Sequence, residues 1–244
     1  MHNAATLPLL LKQLGLPSML IHWASCAEQA EKAHWTYPEY LASLSNHEVA
    51  SRRQKRITRH LSEAKLPPGK TLSTFDFKAA PAVNAAQITA LADNTGWVKK
   101  AHNLVIFGPS GVGKSHLACG IAHRLIEQGI RALFTSTTTL VQKLQQARDA
   151  YRLPEAIARL AHIPLLILDD IGYVKKDDAE TSVLFELIAD RYESSSLIIT
   201  ANQPFGEWDK IFPDSSMAVA AIDRLIHHAT IIHIQDDSYR KPRP

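Results

Sequence analysis

A chain of 244 residues, 45% hydrophobic and 21% charged, has the composition of a folded globular protein with one medium domain and an appendage, or with two small domains. We find no signal peptide, no lipidation signature and no apolar run long enough to span a membrane, which argues against a membrane-spanning protein and predicts a cytoplasmic one. The net charge is only +3, so the placement of the cations matters more than their sum.

The cysteines and histidines show no metal-binding pattern. Cys26 and Cys119 fall in predicted helices without a suitably spaced partner, so we expect buried, reduced thiols. The twelve histidines include no zinc-binding spacing. The adjacent pair His227 and His228 is expected to point to different faces of a helix. We therefore predict no metal ligand among the histidines.

Residues 1–66 are predicted to form a small helical domain. Apolar spacing favours three helices, with Ser18 placed to cap the second and a break in the third near Ser45. The Pro67-Pro-Gly69 stretch ends this part, and residues 67–81 are predicted to be an extended linker. The predicted helices cover about 7–14, 18–33 and 38–65.

From residue 82 to residue 244, helices and strands are predicted to alternate. Such alternation is typical of a parallel sheet wrapped by helices, so the fold class is α/β with a central parallel five-stranded sheet. The predicted strands cover 104–107, 131–135, 164–168, 196–200 and 230–234. The predicted helices cover 85–97, 114–128, 137–150, 154–161, 179–193 and 217–228.

A glycine-rich loop between the first of these strands and the helix after it fits the pattern by which proteins hold nucleotide phosphates. Its glycines let backbone N–H groups line a nest for phosphate oxygens, and the helix adds its positive dipole end. Lys114 can reach the β- and γ-phosphates, and the Ser115 hydroxyl can bind Mg²⁺. The loop comprises Gly108, Pro109, Ser110, Gly111, Val112, Gly113, Lys114 and Ser115.

Polar side chains end two other apolar strands. Asp169 and Asp170 follow Leu165–Leu168, where open α/β sheets place their ligands. In a phosphate-loop protein the first carboxylate holds the Mg²⁺ shell, and the second can orient and deprotonate a water molecule. Asn202 follows another strand and can hydrogen-bond the γ-phosphate or that water. A turn or helix cap is the alternative interpretation of these residues.

A basic segment lies on the third predicted helix. Four of its cations share one helical face at i, i+3, i+4 and i+7, which predicts salt-sensitive binding to DNA phosphates. A solvated face or a protein-docking surface is the alternative. The candidate DNA-binding residues are Arg52, Arg53, Lys55, Arg56 and Arg59.

Together these features resemble the AAA+ ATPases, and specifically the IstB-like ATPases of IS21-type transposons, which are relatives of the DnaC and DnaI helicase loaders. The resemblance covers nearly the whole chain. Its further segments are 11–17, 37–40, 75–77, 165–172, 204–208, 223–228 and 237–240.

The resemblance implies a role for each matching residue. It assigns Lys114 and Ser115 to the Walker A pair, Asp169 and Asp170 to the Walker B acids, and Asn202 to sensor 1. Arg224 matches the arginine finger that reaches a neighbouring subunit's γ-phosphate. Arg240 is a candidate sensor 2 substitute, because the chain ends without the usual helical lid.

The implied function is ATP hydrolysis, with ATP and Mg²⁺ as cofactors. It would control an ATP-dependent oligomer on DNA and regulate an insertion-sequence transposase. One alternative is a loader that places a replicative helicase on single-stranded DNA. Another is a nucleotide-gated adaptor with negligible turnover.

Overall fold

The computed structural model describes residues 4–172, 178–210 and 215–235. The chain forms two compact units, Met1–Arg59 and His60–Pro244. The division falls inside one long helix, whereas the sequence analysis placed the end of the helical domain at residue 66. Among the described helices, none is long and apolar enough to cross a membrane.

The first unit is helical, as predicted. After a 3₁₀ turn at Ala4–Thr6 it contains α1 (Leu7–Gln13), α2 (Pro17–Lys32) and most of α3 (Tyr37–Glu63).

The start of α2 differs from the prediction. Ser18 is not the cap, because the helix already begins at Pro17. Instead Glu48, on α3, accepts hydrogen bonds from the backbone N–H groups of Ser18 (2.8 Å) and Met19 (3.3 Å). The carboxylate therefore accepts the hydrogen bonds of helix-start N–H groups that an N-cap side chain would otherwise accept.

The predicted break near Ser45 is wrong, because α3 is continuous. Leu44 and Glu48, one turn apart on either side of Ser45, are both buried. Their contacts in the unit outweigh the weak helix propensity of Ser45 and Asn46.

The second unit contains five strands: β1 (Asn103–Phe107), β2 (Ala132–Ser136), β3 (Leu165–Asp169), β4 (Ser196–Ala201) and β5 (Ala229–His233). They form a parallel sheet in the order β2-β3-β4-β1-β5, which confirms the predicted fold class. The central strand β4 and its neighbour β1 are buried along their whole length, as expected for strands covered on both faces.

The helices of the second unit follow the predicted order with one correction. The predicted helix over 85–97 is two helices, because the Asn94 side chain accepts a hydrogen bond from the Gly96 amide (2.8 Å) and forms a turn between them. The helices are α4 (Ala85–Asp93), α5 (Gly96–Lys99), α6 (Lys114–Glu127), α7 (Thr137–Asp149), α8 (Leu153–Ala161), α9 (Asp178–Arg191) and α10 (Ser215–Ile226), with 3₁₀ turns at Leu72–Thr74 and Phe205–Lys210.

Alternate side chains of β1 enter two apolar layers. Leu104 and Ile106 pack with residues of α4 and α6, including Leu117. Val105 and Phe107 pack in a second cluster with residues of α7, α8, α9 and α10. The helices thus cover both faces of the sheet and leave the carboxyl ends of its strands available for a binding site.

The last turn of α3 covers part of the edge of the sheet. The Phe134 amide, on the edge strand β2, donates a hydrogen bond to the Ala64 carbonyl (2.8 Å). Glu63 and Arg131 form an ion pair beside it (3.7 Å). Ala64 itself is fully buried, so this part of the chain belongs to the core of the second unit.

Candidate nucleotide-binding site

The glycine-rich loop lies between β1 and α6, in the predicted strand–loop–helix context. Gly113 has a φ of 93°, in the left-handed region. A β-carbon there would lie only 2.7 Å from the ring of Phe75. Both the backbone conformation and the close approach of Phe75 therefore require glycine at this position.

Lys114, the first residue of α6, is buried. Its ammonium group donates to the carbonyls of Gly108 and Pro109, both at 2.8 Å, and to the side-chain oxygen of Asn202 at 2.7 Å. The lysine thus links the loop to the end of β4. This arrangement holds a positive charge at the carboxyl ends of the strands, where phosphate oxygens would meet it.

The two acidic residues at the end of β3 are positioned by Thr200 on β4. Its hydroxyl donates to the Asp169 carboxylate (2.6 Å) and accepts from the Asp170 amide (2.9 Å). Asp170 has a φ of 57°, which aspartate and asparagine tolerate better than most residues. Thr200 is not among the residues predicted for the site, although a threonine within an apolar, buried strand was a signal.

A cavity of about 420 Å³ opens at this edge of the sheet. The structure brings residues 110–115 of the loop, Asp170 and Asn202 together around it, whereas Asp169, whose carboxylate accepts a hydrogen bond from Thr200, is not among the described lining residues. The lining residues are Lys70, Thr74, Phe75, Asp76, Ala80, Ser110, Gly111, Val112, Gly113, Lys114, Ser115, His116, Asp170 and Asn202.

The segment 70–80, part of the predicted linker, forms one wall of this cavity. His116 Nε2 lies 2.8 Å from the Thr71 carbonyl, which can only accept, so this nitrogen carries the hydrogen. The Phe75 ring packs edge-on against the His116 ring, with centroids 5.2 Å apart. A β-carbon at Gly120 would lie 2.9 Å from the Leu72 amide nitrogen. Two phenylalanines in a predicted linker, and a glycine on a helix face, were the available signals.

The two candidate arginines lie elsewhere. Arg224, near the end of α10, donates to the Ala220 carbonyl (3.0 Å), and its guanidinium lies 5.0 Å from the centre of the Phe185 ring. It is not among the described residues that line the cavity. Arg240 lies outside the described residues.

In the first unit, Arg53, Lys55, Arg56 and Arg59 are exposed. Arg52 is engaged within the unit, because it donates to the Glu48 carboxylate (2.9 Å) and to the Gly15 carbonyl (3.0 Å). The predicted cations thus lie on one helix, and Arg52 is tied to the packing of the unit.

The loop geometry and the strand order together define a P-loop nucleotide-binding protein of the AAA+ class. The crystal structure of the DnaC helicase loader superposes with a TM-score of 0.56, at 22% identity, over 68% of this chain and 97% of that one. This likeness concerns the fold. The chain belongs to the family of IstB-like ATP-binding proteins, whose model matches residues 9–243.

Two relatives span almost the entire chain. An insertion-sequence ATP-binding protein from Sinorhizobium fredii is 54% identical over 243 residues, which are 98% of this chain and 82% of the relative. The IS21 ATP-binding protein from Pseudomonas aeruginosa is 36% identical over 234 residues, 96% of this chain and 88% of that protein.

Proposed function

We propose that the protein binds Mg²⁺-ATP in the cavity and hydrolyses it, and that the nucleotide state controls its assembly on DNA as the helper of an insertion-sequence transposase. The observation that carries the nucleotide site is the set of hydrogen bonds from Lys114 to the loop and to Asn202. These contacts hold the Lys114 ammonium group beside the loop and beside Asn202 at the end of β4. The descriptions of the relatives supply the insertion-sequence context.

The donors available for Mg²⁺ fit that ion. A hydroxyl from Ser115 and carboxylates from Asp169 and Asp170 are the hard oxygen ligands that Mg²⁺ prefers. We assign Ser115 and Asp169 to the metal, which would neutralise phosphate charge when bound. Asp170 lines the cavity and is assigned to orient and deprotonate the attacking water.

The remaining roles concern the γ-phosphate. Asn202 is assigned to hydrogen-bond this phosphate or the attacking water, and Lys114 to neutralise the β- and γ-phosphates. Arg224 lies outside the lining of its own cavity, which supports action on the site of a neighbouring subunit. Its planar, permanently charged guanidinium suits that role.

For DNA, the exposed cations of α3 provide phosphate-binding charge. We therefore propose sequence-independent contacts to the DNA backbone through this face. The relatives described as insertion-sequence proteins favour the transposition helper over the helicase loader. The likeness to the DnaC loader concerns only the fold.

Steady-state ATPase assays with and without duplex DNA test the proposal. Wild type is expected to turn over ATP, and Lys114→Ala to lose nucleotide binding. Asp170→Asn should still bind ATP but hardly hydrolyse it, since asparagine keeps the backbone conformation and loses the base. Asp149→Asn, on the exposed end of α7, is the matched control and should behave as wild type. Equal turnover in Asp170→Asn and wild type would remove Asp170 from the chemistry.

The partner is tested separately by pull-down from cells that contain both candidates. Recovery of the transposase supports the helper role, and recovery of a hexameric replicative helicase instead would contradict it. The adaptor alternative predicts negligible turnover by wild type with DNA present.

A further inference from the structure

We propose that Glu193, His227 and His228 form a second metal site, for Zn²⁺ or a similar divalent transition-metal ion. One ligand atom from each of these residues lies within 4.8 Å of the others. A carboxylate oxygen of Glu193 is 3.9 Å from Nδ1 of His227 and 3.9 Å from Nε2 of His228. Two imidazoles and a carboxylate are a common ligand set for zinc.

The convergence of the two histidines corrects the sequence analysis. Helix α10 ends at Ile226, so His227 and His228 are not neighbours on a helix and need not point to different faces. Their ring centroids lie only 4.1 Å apart. The expectation that these two histidines point apart depended on a helix that the structure ends two residues earlier, whereas the absence of a zinc-binding spacing was the other ground for expecting no metal ligand.

The turn that carries the histidines is fixed to the sheet by a buried amide. The Asn103 backbone N–H donates to the His228 carbonyl (3.0 Å), and its side chain donates to the Leu225 carbonyl (3.0 Å). The Asn103 side chain also accepts from the Leu197 amide on β4 (2.9 Å). The backbone of the two ligands is thus held before any ion binds, which lowers the entropy cost of binding.

The third ligand follows an equally fixed point. Arg191, the last residue of α9, is buried and donates to the carbonyls of Leu160 (3.0 Å) and Ser196 (2.8 Å). Glu193 follows two residues later with a left-handed φ of 55°, which turns the chain at the end of α9. The Glu193 side chain therefore follows closely on a helix end whose position is fixed.

The surroundings favour a cation. Both α9 and α10 end at this cluster, and the C-terminal end of a helix carries partial negative charge. The Tyr192 hydroxyl lies 2.8 Å from Nδ1 of His227, the nitrogen that faces Glu193, so a bound ion would displace this hydrogen bond. The His102 ring stacks on the His228 ring, with centroids 5.2 Å apart.

The distances between the three ligand atoms can reach those of a zinc site by side-chain rotation alone. Ligand atoms around a tetrahedral zinc ion lie about 3.3–3.6 Å apart, given bond lengths of about 2.0–2.2 Å. The three side chains are about half exposed, at 57%, 50% and 45% for Glu193, His227 and His228, so they have room to close the remaining distance. Three protein ligands leave a coordination position for water.

Isothermal titration of the chelator-treated full-length protein with ZnCl₂ tests the site. Excess Mg²⁺ is present throughout, so that the oxygen ligands of the nucleotide cavity are already occupied. Wild type is expected to take up about one ion per chain. Glu193→Gln, His227→Gln and His228→Gln should each weaken the affinity at least about tenfold.

The matched control is His162→Gln, an exposed histidine outside the cluster, which should leave the affinity unchanged. Retained ATP binding by each variant verifies the fold. Zinc affinity that is the same in all three cluster variants as in wild type would overturn the proposal. Uptake of less than about half an ion per wild-type chain would overturn it as well. Because zinc is titrated without nucleotide, neither result depends on the proposed hydrolysis of ATP.

Discussion

One hydroxyl of Thr200 holds Asp169 and the backbone of Asp170 at the same time, at 2.6 Å and 2.9 Å. Thr200 is fully buried, so loss of its hydroxyl removes a buried acceptor from the Asp170 amide and a donor from the Asp169 carboxylate. We expect Thr200→Val, which keeps the shape of the side chain, to lower the free energy of unfolding by about 1–3 kcal/mol. ATP turnover should fall more than ATP affinity. Urea unfolding and steady-state kinetics measure both.

Thr230→Val, on the edge strand β5, is the control for that change. It should alter the free energy of unfolding by less than about 0.5 kcal/mol. Similar effects of the two substitutions would mean that the Thr200 hydroxyl has no special role.

Gly113→Ala is expected to abolish nucleotide binding. The new methyl group would meet the Phe75 ring at 2.7 Å, on a backbone that already disfavours a side chain. Gly15→Ala is a matched control, because Gly15 also has a positive φ (65°) but has open space where the β-carbon would lie. Gly15→Ala should lower the free energy of unfolding by only about 1–2 kcal/mol, because of its backbone conformation. A fluorescent ATP analogue measures the binding. Normal nucleotide affinity in Gly113→Ala would contradict the tight fit of the loop.

Mixing two inactive variants tests the proposed sharing of the site. Arg224→Ala keeps its own loop and acids, whereas Asp170→Asn keeps its arginine. If Arg224 completes the site of a neighbour, mixed oligomers should regain part of the ATPase activity that each variant lacks alone. No recovery, in a mixture shown to co-assemble, would count against action between subunits. Arg224→Lys should not substitute for arginine, because it lacks the planar guanidinium.

Removal of Arg53, Lys55 and Arg56 together should weaken duplex DNA binding at low salt. It should also flatten the dependence of affinity on salt, by up to about 0.9 in the log–log slope for each DNA phosphate that the protein no longer neutralises.

Arg52→Ala should have a smaller effect on DNA binding, because Arg52 already bonds to Glu48 and Gly15. Lys143→Ala, exposed on α7, is the control for the removal of surface charge. Fluorescence anisotropy at several salt concentrations measures the slopes. Unchanged slopes in the triple variant would assign this face to a protein partner.

Glu48 should make the first unit sensitive to acid. Burial pushes the pKa of Glu48 upward, but hydrogen bonds from Arg52 and from the amides of Ser18 and Met19 outweigh it and hold the pKa below its ordinary value. Because the folded-state pKa is lowered, the stabilisation is present above the unfolded pKa of about 4.3 and is lost as pH falls through the folded-state pKa.

Glu48→Gln should therefore speed hydrogen exchange in α2 at pH 7 and differ less from wild type at lower pH. Exchange is read by mass spectrometry and corrected for the intrinsic effect of pH. Glu28→Gln, exposed on the same helix, should show no such difference. A constant gap between Glu48→Gln and wild type across pH would contradict the assignment of the cap to the carboxylate.

The sheet and the strand–loop–helix setting of the glycine-rich loop could be predicted because each depends on local sequence. Buried parallel strands are continuous apolar runs, and their carboxyl ends collect the polar residues that follow, as Asp170 and Asn202 show. The loop glycines are likewise required by backbone geometry that a short pattern records.

Other features depend on contacts distant in sequence. Glu48 caps a helix 30 residues earlier, and Thr74 lies beside His116, 42 residues later. The cluster around Glu193 forms because two helices end at the same place, each of them two residues before its predicted end. The periodicity of apolar residues does not predict such contacts, because they depend on how separate elements pack.

The hydrogen bond between Phe134 and Ala64 has a practical consequence for dividing this chain. A fragment of the second unit begun at the prolines, at residue 67, would lack Ala64 and remove the acceptor of the Phe134 amide on the edge strand. Uncovered edge strands readily pair with those of other molecules, so such a fragment should aggregate. A fragment begun at His60 retains the acceptor, so it is the fragment that we would choose for crystallisation.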